Sequence, residues 1–343
     1  MRPTLAAKAS VQGGLVTRRQ AVEAGYSERE LRSLTAVHGP WVVVRRGVYV
    51  EREQWESLDP YDGQWLVRDR AAHLTMTRQH LLSHDSAARM HGLPLLRPRV
   101  PLVHLTRPGV QGSRTEHGVR HHLTRRPLEE QSQVSGIPVT GLAWTALDIG
   151  REHGHAAGQV AVDAVLRRGV LPRRLGDELE TMRYWPGITR ARAAVELGDG
   201  GAESPGESLA RLLVIELGLC PDRPETQFPV PVGDSVAWCD LRLGRHVFEF
   251  DGRLKYRRQA QGGVAAGPVE EVLWEEKNRQ RLICALGLGI SRIIWDDLWG
   301  AARKRAVARL RAEYQVTLDR FGYDLPEHLE AFARQLRGRR RAA

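Results

Sequence analysis

The sequence is poor in cysteine and in long apolar runs, and both shortages exclude classes of protein. Its three cysteines, Cys220, Cys239 and Cys284, are far apart, odd in number and without metal-ligand spacing. A disulfide-built fold is therefore not expected, and the default expectation is a reduced, cytoplasmic protein. No stretch approaches the ~18 uninterrupted apolar residues of a membrane span. The first ten residues lack the apolar core of a secretory signal, so we expect no membrane association.

Lysine is scarce as well, with four lysines against 47 arginines. The 51 basic residues exceed the 41 acidic ones and give a formal net charge of +10. A guanidinium group binds phosphate through two parallel hydrogen bonds, so an arginine-rich excess favours a polyanionic partner. The 42% of hydrophobic residues exclude a wholly disordered chain. Nucleic acid is the leading candidate for the partner.

We predict an α+β multidomain chain, since 343 residues suffice for about two or three domains. Four regions are distinguished by composition and pattern: 1–58, 59–200, 201–300 and 301–343. Their net charges are +3, +4, −3 and +6, respectively. The charge suited to holding a polyanion therefore lies outside the third region. The fourth region is predicted to be a basic helical tail.

The first region carries two helix-start signals. Thr17 to Gln20 and Ser27 to Glu30 each form a capping box, in which the first side chain and the fourth cap each other's backbone amides. Ala24-Gly25 between them permits a tight turn. The valine-rich strands around Arg45-Arg46-Gly47 then predict a β-hairpin. Together these elements predict a winged helix-turn-helix.

A winged helix-turn-helix places its second helix in the major groove of DNA and its hairpin on phosphates. Leu31 and Leu34 should face inward. The alternative is a protein-interaction module whose arginines are only solvated. The candidate DNA-binding residues are Arg18, Arg19, Arg29, Arg32, Ser33, Arg45 and Arg46.

These residues carry a resemblance to a known family. The stretch from Gly14 through Tyr49 resembles the N-terminal domain of AbiEi-type antitoxins, from abortive-infection toxin–antitoxin systems. Leu82 to Ala88, with His91-Gly92-Leu93, resembles the helix that follows in those proteins. The resemblance covers about the first half of the chain. It implies an N-terminal domain that binds operator DNA, and a middle domain (59–200) that supports it or contacts a toxin protein.

The middle region predicts mixed α/β structure and no metal site. His121 and His122 are adjacent, so on a strand they point to opposite faces. His84 and His91 are seven residues apart, too far along a helix to share an ion. We interpret all four histidines as structural or solvent-facing.

The third region predicts a hairpin that carries acidic residues. Gly244-Arg245 suits a two-residue type II′ turn. Counting outward pairs Leu243 with His246 and places Asp240 opposite Glu249. Directly opposed residues share a face of the sheet, and Asp251 should lie on that face too.

Opposed carboxylates destabilise a sheet unless something neutralises them. A divalent cation such as Mg²⁺ or Mn²⁺ prefers such oxygen ligands. The alternative is that the acids pair with arginines such as Arg242. Predicted helices flank the hairpin, one opening at Glu203 to Leu209 and one starting at Glu275, and a buried strand follows at Ile290 to Trp295.

Residues 203–299 resemble the PD-(D/E)XK nuclease superfamily, in its branch similar to very-short-patch-repair endonucleases. The likeness rests on Glu207, Asp240, Glu249 to Gly252, the Glu276-Lys277 helix and Trp295. It implies a restriction-endonuclease-like α/β sandwich with Asp240, Glu249 and Glu207 as metal ligands. Asp251 occupies the slot where the superfamily has a lysine. Lys255 and Lys277 are the candidates for the lysine's role.

Three functions remain open at this point, one of which treats both ends of the chain as protein-interaction modules in a phage-defence complex. The other two involve DNA. The first is a DNA-binding, Mg²⁺-dependent endonuclease that hydrolyses phosphodiester bonds in a defence or toxin–antitoxin setting. A metal ion would activate the water and stabilise charge on the leaving oxygen. The second is a DNA-binding transcriptional regulator or antitoxin whose nuclease-like domain is inactive. A degenerate fold is a known outcome, because fold does not dictate function.

Overall fold

The computed structural model describes most of the chain in two compact units. The described residues are 1–96, 98, 100–110, 112–124, 128, 132–233, 235–252 and 269–342, with the backbone alone for 269–276 and 337–342. The first unit comprises Met1–Ala161 and Val170–Glu196, and the second Val162–Gly169 and Leu197–Ala343. Within the described ranges, no helix has both the length and the apolarity to cross a bilayer. The finer division into four regions stays a prediction.

The first unit begins with short helices and a three-stranded antiparallel sheet of order β1-β3-β2. These elements are α1 (Pro3–Val11), β1 (Val16–Thr17), α2 (Arg18–Glu23), α3 (Glu28–Leu34), β2 (Trp41–Arg45) and β3 (Val48–Glu51). Leu5, Leu31, Trp41 and Tyr49 share one buried cluster. The helices and the hairpin therefore pack on a common core.

Both predicted capping boxes are confirmed. The Gln20 amide donates to Thr17 Oγ1 over 3.2 Å, and the Thr17 amide donates to Gln20 Oε1 over 2.8 Å. The Glu30 amide likewise donates to Ser27 Oγ over 3.2 Å, and the Ser27 amide to Glu30 Oε2 over 2.7 Å. Each box binds two amides that a helix start leaves without helical partners, which is why these short helices begin where they do.

A six-stranded mixed sheet of order β6-β7-β5-β4-β9-β8 forms the rest of the first unit with its helices. The strands are β4 (Leu81–Leu82), β5 (Val103–Arg107), β6 (Ser113–Glu116), β7 (Val119–Leu123), β8 (Ser132–Val134) and β9 (Ile137–Val139). The helices that precede or interrupt them are α4 (Arg52–Ser57), α5 (Gly63–Thr75) and α6 (His84–His91). Leu82, Met90 and Leu105 belong to the core between α6 and the sheet.

Four helices follow the sheet along the chain. They are α7 (Leu142–His153), α8 (His155–Arg167), α9 (Pro172–Thr181) and α10 (Ile188–Glu196). Gly150 of α7 lies against α10, because a Cβ there would come within 3.1 Å of Ala191 Cα.

The second unit contains a four-stranded sheet of order β10-β11-β12-β13. Its elements are α11 (Pro205–Glu216), β10 (Glu225–Val232), β11 (Ser235–Leu243), β12 (His246–Asp251), α12 (Val269–Ala285), β13 (Gly289–Ile294), a 3₁₀ turn (Trp295–Leu298), α13 (Gly300–Phe321) and α14 (Glu327–Ala342). β13 runs parallel to β12, while β11 is antiparallel to its neighbours. Phe228, Val247, Ile283 and Leu329 form the core on one face. The predicted start of α12 at Glu275 is wrong, because the helix begins at Val269.

The predicted hairpin turn is confirmed, and its pairing holds for three residue pairs. Leu243 pairs with His246, and the ladder ends where Leu241 pairs with Phe248. Gly244 has φ +58°, as the first position of a type II′ turn requires. The predicted opposition of Asp240 and Glu249 is not part of this ladder. There the Asp240 side chain itself accepts the Phe250 amide, Oδ2 to N 2.8 Å.

A buried histidine makes the stability of the second unit depend on pH. His246 is 1% exposed and hydrogen-bonds Thr317 Oγ1 at 2.7 Å and Ser291 Oγ at 2.8 Å. Burial lowers the pKa of His246 to about 4. Below about pH 6.5 the His246 imidazole binds a proton in the unfolded chain but not in the folded one. The free energy of unfolding is therefore highest above pH 6.5 and decreases as the pH falls towards 4. The expected slope is about 1.4 kcal/mol per pH unit.

Urea titrations between pH 7 and 4, with unfolding monitored by hydrogen exchange of the β12 amides, measure this slope. His246→Gln should reduce the slope by the contribution of one proton, about 1.4 kcal/mol per pH unit. The exposed His328, replaced by glutamine in the same unit, serves as the control and should leave it unchanged. Equal slopes for wild type and His246→Gln would contradict the assignment.

Candidate functional site

Five of the seven candidate DNA-binding residues lie on the exposed surface of the two capped helices. Arg29, Arg32 and Ser33 of α3 are exposed, whereas Leu31 between them is buried at 3% exposure. The acids in the first turn of α3 are neutralised by arginines: Glu28 pairs with Arg18, and Glu30 with Arg2 at 2.8 Å. The acids of α3 therefore do not leave its surface net negative.

The hairpin turn lies beside the start of α2. The Arg18 amide donates to Gly47 O over 2.8 Å. Arg46 at the turn is exposed, whereas Arg45 is half-buried and its Nη1 donates to His117 O at 3.4 Å. Burial lowers the pKa of Arg45. Arg19 is exposed and lies 3.7 Å from Glu23. The structure thus brings the arginines of α2 and the hairpin together.

Glu207 lies in the first turn of α11, where it is part of the helix cap. Its Oε1 accepts from Ser204 Oγ and its Oε2 from the Glu203 amide, both over 2.8 Å. Gly206 lets α11 approach β12 closely, because a Cβ there would lie 1.9 Å from the Phe250 ring. Burial, and then the charge of Asp240, raise the pKa of Glu207. Glu207 and Asp240 therefore interact electrostatically.

Arginines neutralise the two remaining candidate acids, Glu249 and Asp251, which both lie in β12. Arg279 of α12 lies 2.8 Å from Glu249 Oε1 and also donates to Trp238 O at 2.9 Å. Arg292 of β13 lies 3.8 Å from Asp251. Arg242, the arginine predicted for this role, pairs instead with Glu225 at 2.6 Å. The alternative prediction, that arginines neutralise the acids of the hairpin, therefore holds for Glu249 and Asp251, but the arginines are Arg279 and Arg292.

The predicted metal ligands do not form a compact trio. Among the residues that the structure describes, the acidic, histidine and cysteine side chains that lie close enough to share an ion in a group of three or more are those of a histidine cluster, which contains none of the predicted ligands. Lys277 is exposed on α12. Lys255 lies outside the described residues. The catalytic roles of Glu207, Asp240, Glu249, Asp251 and both lysines stay predictions.

The histidine cluster consists of His84, His104 and His122 in the first unit. One ring nitrogen of each lies within 4.8 Å of the others. His104 Nδ1 is 2.9 Å from His122 Nε2, and the ring centroids of His84 and His122 are 3.8 Å apart. His84 and His104 are 3% and 2% exposed. They come from three elements: the start of α6, β5 and β7.

Two buried carboxylates lie behind the cluster. Asp148 Oδ2 is 3.3 Å from His84 Nδ1, and Asp85 Oδ2 is 4.0 Å from His104 Nε2. Neither oxygen has a hydrogen-bond partner within the described part of the chain. The other oxygens are bound, Asp148 Oδ1 by Arg151 at 2.5 Å and Asp85 Oδ1 by His153 at 2.6 Å.

Burial determines the charge state of this site. It lowers the pKa of His104 to about 4 and that of His122 to about 2, and lowers the pKa of His84 well below its ordinary value. Burial raises the pKa of Asp148 to about 7. The three imidazoles are consequently neutral at physiological pH, which is the form that binds metal ions.

A cavity of about 570 Å³ opens onto the cluster. His84 and His122 line it together with Arg151 and Trp185. One side of the histidine cluster is therefore accessible to a small ligand or to water.

Spacing along a single element does not reveal this cluster, because its three histidines come from three elements. His121 and His122 point to opposite faces, as predicted, and His121 Nδ1 accepts from Arg107 Nε at 3.3 Å. His122 pairs with Thr106 of the parallel strand β5, and His104 lies two residues before Thr106 on the same face. Neither His84 nor His104 faces solvent.

Comparison with known proteins identifies the relatives of this chain. Residues 71–197 match the family model of the AbiEi antitoxin C-terminal domain. The uncharacterized proteins MT2308 and Rv2248, from two strains of Mycobacterium tuberculosis, are each 30% identical over 225 residues, which cover 64% of this chain and 74% of theirs. The chain belongs to their family. The predicted AbiEi resemblance is confirmed for residues 71–197, which contain the whole histidine cluster.

One solved structure is also similar. The crystal structure of RV2827C protein from Mycobacterium tuberculosis aligns with a TM-score of 0.33 and 18% identity, over 61% of this chain and 81% of that one.

Proposed function

We propose that this protein is a DNA-binding regulator of the antitoxin type, acting in a toxin–antitoxin or abortive-infection setting. The observation that carries the proposal is the exposed arginine surface of α3, next to an AbiEi-like domain. α2, α3 and the β2–β3 hairpin would act as a winged helix-turn-helix, with α3 in the major groove. The AbiEi-like match supports a toxin protein as a second partner.

The charges around α3 support this role. Glu28 and Glu30 are each paired with an arginine, so they do not oppose a phosphate backbone. Arg29 and Arg32 are exposed three residues apart, which places them on one side of the helix. Arg46, beside α2, would contact phosphate. Arginine on a recognition helix reads guanine through a pair of hydrogen bonds, and each such pair contributes about 1–3 kcal/mol of discrimination against the wrong base.

The Arg29→Ala/Arg32→Ala double variant tests the proposal. Wild type should prefer the DNA upstream of its own gene over bulk DNA by about a thousandfold or more at physiological salt. The double variant should lose most of that preference, because Arg29 and Arg32 are the arginines placed to read base edges. Fluorescence anisotropy with both DNAs at fixed salt, without metal, measures the ratio of the two affinities.

The matched control is Arg173→Ala/Arg174→Ala, which removes two exposed arginines from α9 of the same unit. It should reduce the specificity ratio little. Specific binding that survives the α3 double variant, or is lost equally in the control, would reject α3 as the recognition helix.

A second candidate is a Mg²⁺- or Mn²⁺-dependent endonuclease in the second unit. It is supported by the order of elements there, in which helix α11 is followed by strands β10 to β12, helix α12 and strand β13, and by the predicted ligands Glu207 of α11 and Asp240 of β11. These two carboxylates suit a hard cation. Glu249 suits one less well, because Arg279 already neutralises it. A bound ion would activate water and stabilise the phosphate, and Lys255 or Lys277 would orient that water.

Plasmid cleavage by wild type and Asp240→Ala tests the nuclease. An active enzyme should nick DNA with Mg²⁺, stop in EDTA, and lose activity in Asp240→Ala. Glu225→Gln, an acid of β10 outside the candidate site, is the control and should cut like wild type. If wild type cuts no better than Asp240→Ala, the regulator with an inactive nuclease-like domain is retained.

A further inference from the structure

We propose that His84, His104 and His122 form a site for one divalent transition-metal ion, with Zn²⁺ as the ion of choice. The proposal is independent of the nuclease, because these residues lie in the first unit. Among the described residues, these three are the group whose ligand atoms come close enough to share an ion. Neutral imidazole suits zinc, copper, iron and nickel, whereas Mg²⁺ prefers oxygen.

The distances suit a single ion after side-chain rotation. Tetrahedral zinc with bonds of about 2.0–2.1 Å holds its ligand nitrogens about 3.4 Å apart. The ring nitrogens are already within 4.8 Å of one another, and His104 Nδ1 and His122 Nε2 are 2.9 Å apart. Binding the ion would replace the hydrogen bond between those two rings.

The carboxylates indicate which nitrogen of each ring would bind. A metal-bound histidine donates its other ring N–H to a carboxylate, which orients the ring. Asp148 lies at His84 Nδ1 and Asp85 at His104 Nε2. The ligand atoms would then be His84 Nε2, His104 Nδ1 and His122 Nε2. Both carboxylates have a buried oxygen without a hydrogen-bond partner in the described part of the chain, suited to accept such an N–H.

The backbone at His84 is held in an unusual conformation that supports a built site. His84 has φ +49°, in the left-handed region that residues with a side chain seldom occupy. Such strain persists where the surrounding structure fixes it, often at functional sites. Here it occurs at the first residue of α6, where the imidazole stacks on His122.

The site would leave one coordination position open. The three protein ligands leave a fourth position of a tetrahedral ion for water or a small anionic ligand. The cavity of about 570 Å³ is lined by His84, His122 and Arg151. A small ligand in the cavity would therefore lie next to two of the three metal ligands. Three histidines with an open position are the arrangement of a catalytic or ligand-binding zinc rather than of a closed structural one.

Zinc titration of the full-length protein tests the proposal. After EDTA treatment and dialysis, wild type should bind one equivalent of Zn²⁺, and Co²⁺ in its place should give the visible absorption of a tetrahedral site. His122→Gln and His104→Gln should each lose that equivalent and the Co²⁺ absorption. Zn²⁺ should raise the thermal unfolding midpoint of wild type but not of these variants.

Two controls separate this site from other metal binding and from misfolding. His121→Gln changes the neighbouring residue on the opposite face of β7 and should bind like wild type. Asp240→Ala removes the candidate carboxylate site and should also keep the equivalent. Circular dichroism spectra of His104→Gln and His122→Gln that match the wild-type spectrum show that these variants are folded. Less than a tenth of an equivalent bound by wild type, or unchanged binding by folded His104→Gln and His122→Gln, would overturn the proposal.

Discussion

Asp69→Ala is expected to lower the free energy of unfolding of the first unit by about 3–5 kcal/mol. Asp69 of α5 is fully buried and accepts two hydrogen bonds from Arg89, at 2.6 and 3.0 Å. Ser86 Oγ donates to it at 2.5 Å and accepts the His104 amide at 2.8 Å. This one carboxylate therefore links α5, α6 and β5. Its loss leaves the guanidinium of Arg89 buried and unpaired, which is the main energetic penalty.

Urea denaturation, monitored by hydrogen exchange of the α5 and α6 amides, measures this loss. Hydrogen exchange reports the unfolding of the first unit separately, because a chain of two units need not unfold in one step. Asp69→Leu/Arg89→Met should recover much of the stability, since apolar residues of similar volume often replace a buried ion pair without loss. Lys8→Ala, which breaks the exposed pair with Glu23, should cost at most about 1 kcal/mol. A loss for Asp69→Ala no larger than this would show that the pair is not structurally important.

Features encoded over a few neighbouring residues were predictable from the sequence. Both capping boxes, the two-residue turn at Gly244 and its first three residue pairs follow from residue types and spacing within about ten positions. The AbiEi resemblance was predictable because it rests on a continuous motif around α6. In the capping boxes and the turn, a short-range hydrogen bond or backbone angle determines the structure.

Features that depend on contacts between distant elements were not predictable. Glu249 is neutralised by Arg279, thirty residues later, and the sequence pattern offered Arg242 as readily. The same holds for the histidine cluster, because the parallel pairing of β5 with β7 is not encoded in either strand alone. Residues 162–169 pack with the second unit, although their helical pattern is continuous with residues of the first. Tertiary packing determines these partners.

Asp163→Ala is expected to destabilise the second unit by about 3–5 kcal/mol. Asp163 is fully buried and accepts from Arg211 Nη2 of α11 at 3.0 and 3.1 Å. It also accepts the Asp199 amide at 2.9 Å, and Arg211 donates to Leu197 O at 2.5 Å. The pair thus fixes both α11 and the segment that leads into it. Its loss leaves Arg211, whose side chain is 3% exposed, as an unpaired buried charge.

The loss of stability in Asp163→Ala should be largest in α11, the helix that carries the candidate ligand Glu207. Hydrogen exchange of α11 amides, together with urea denaturation, measures it. Asp163→Asn should be intermediate, because the amide oxygen can still accept the Asp199 N–H but cannot neutralise Arg211. Arg303→Ala removes an exposed pair with Glu216 on the same helix and should cost about 0–1 kcal/mol. If Asp163→Ala exchanged in α11 like Arg303→Ala, the buried pair would not be what holds this helix and its carboxylate in place.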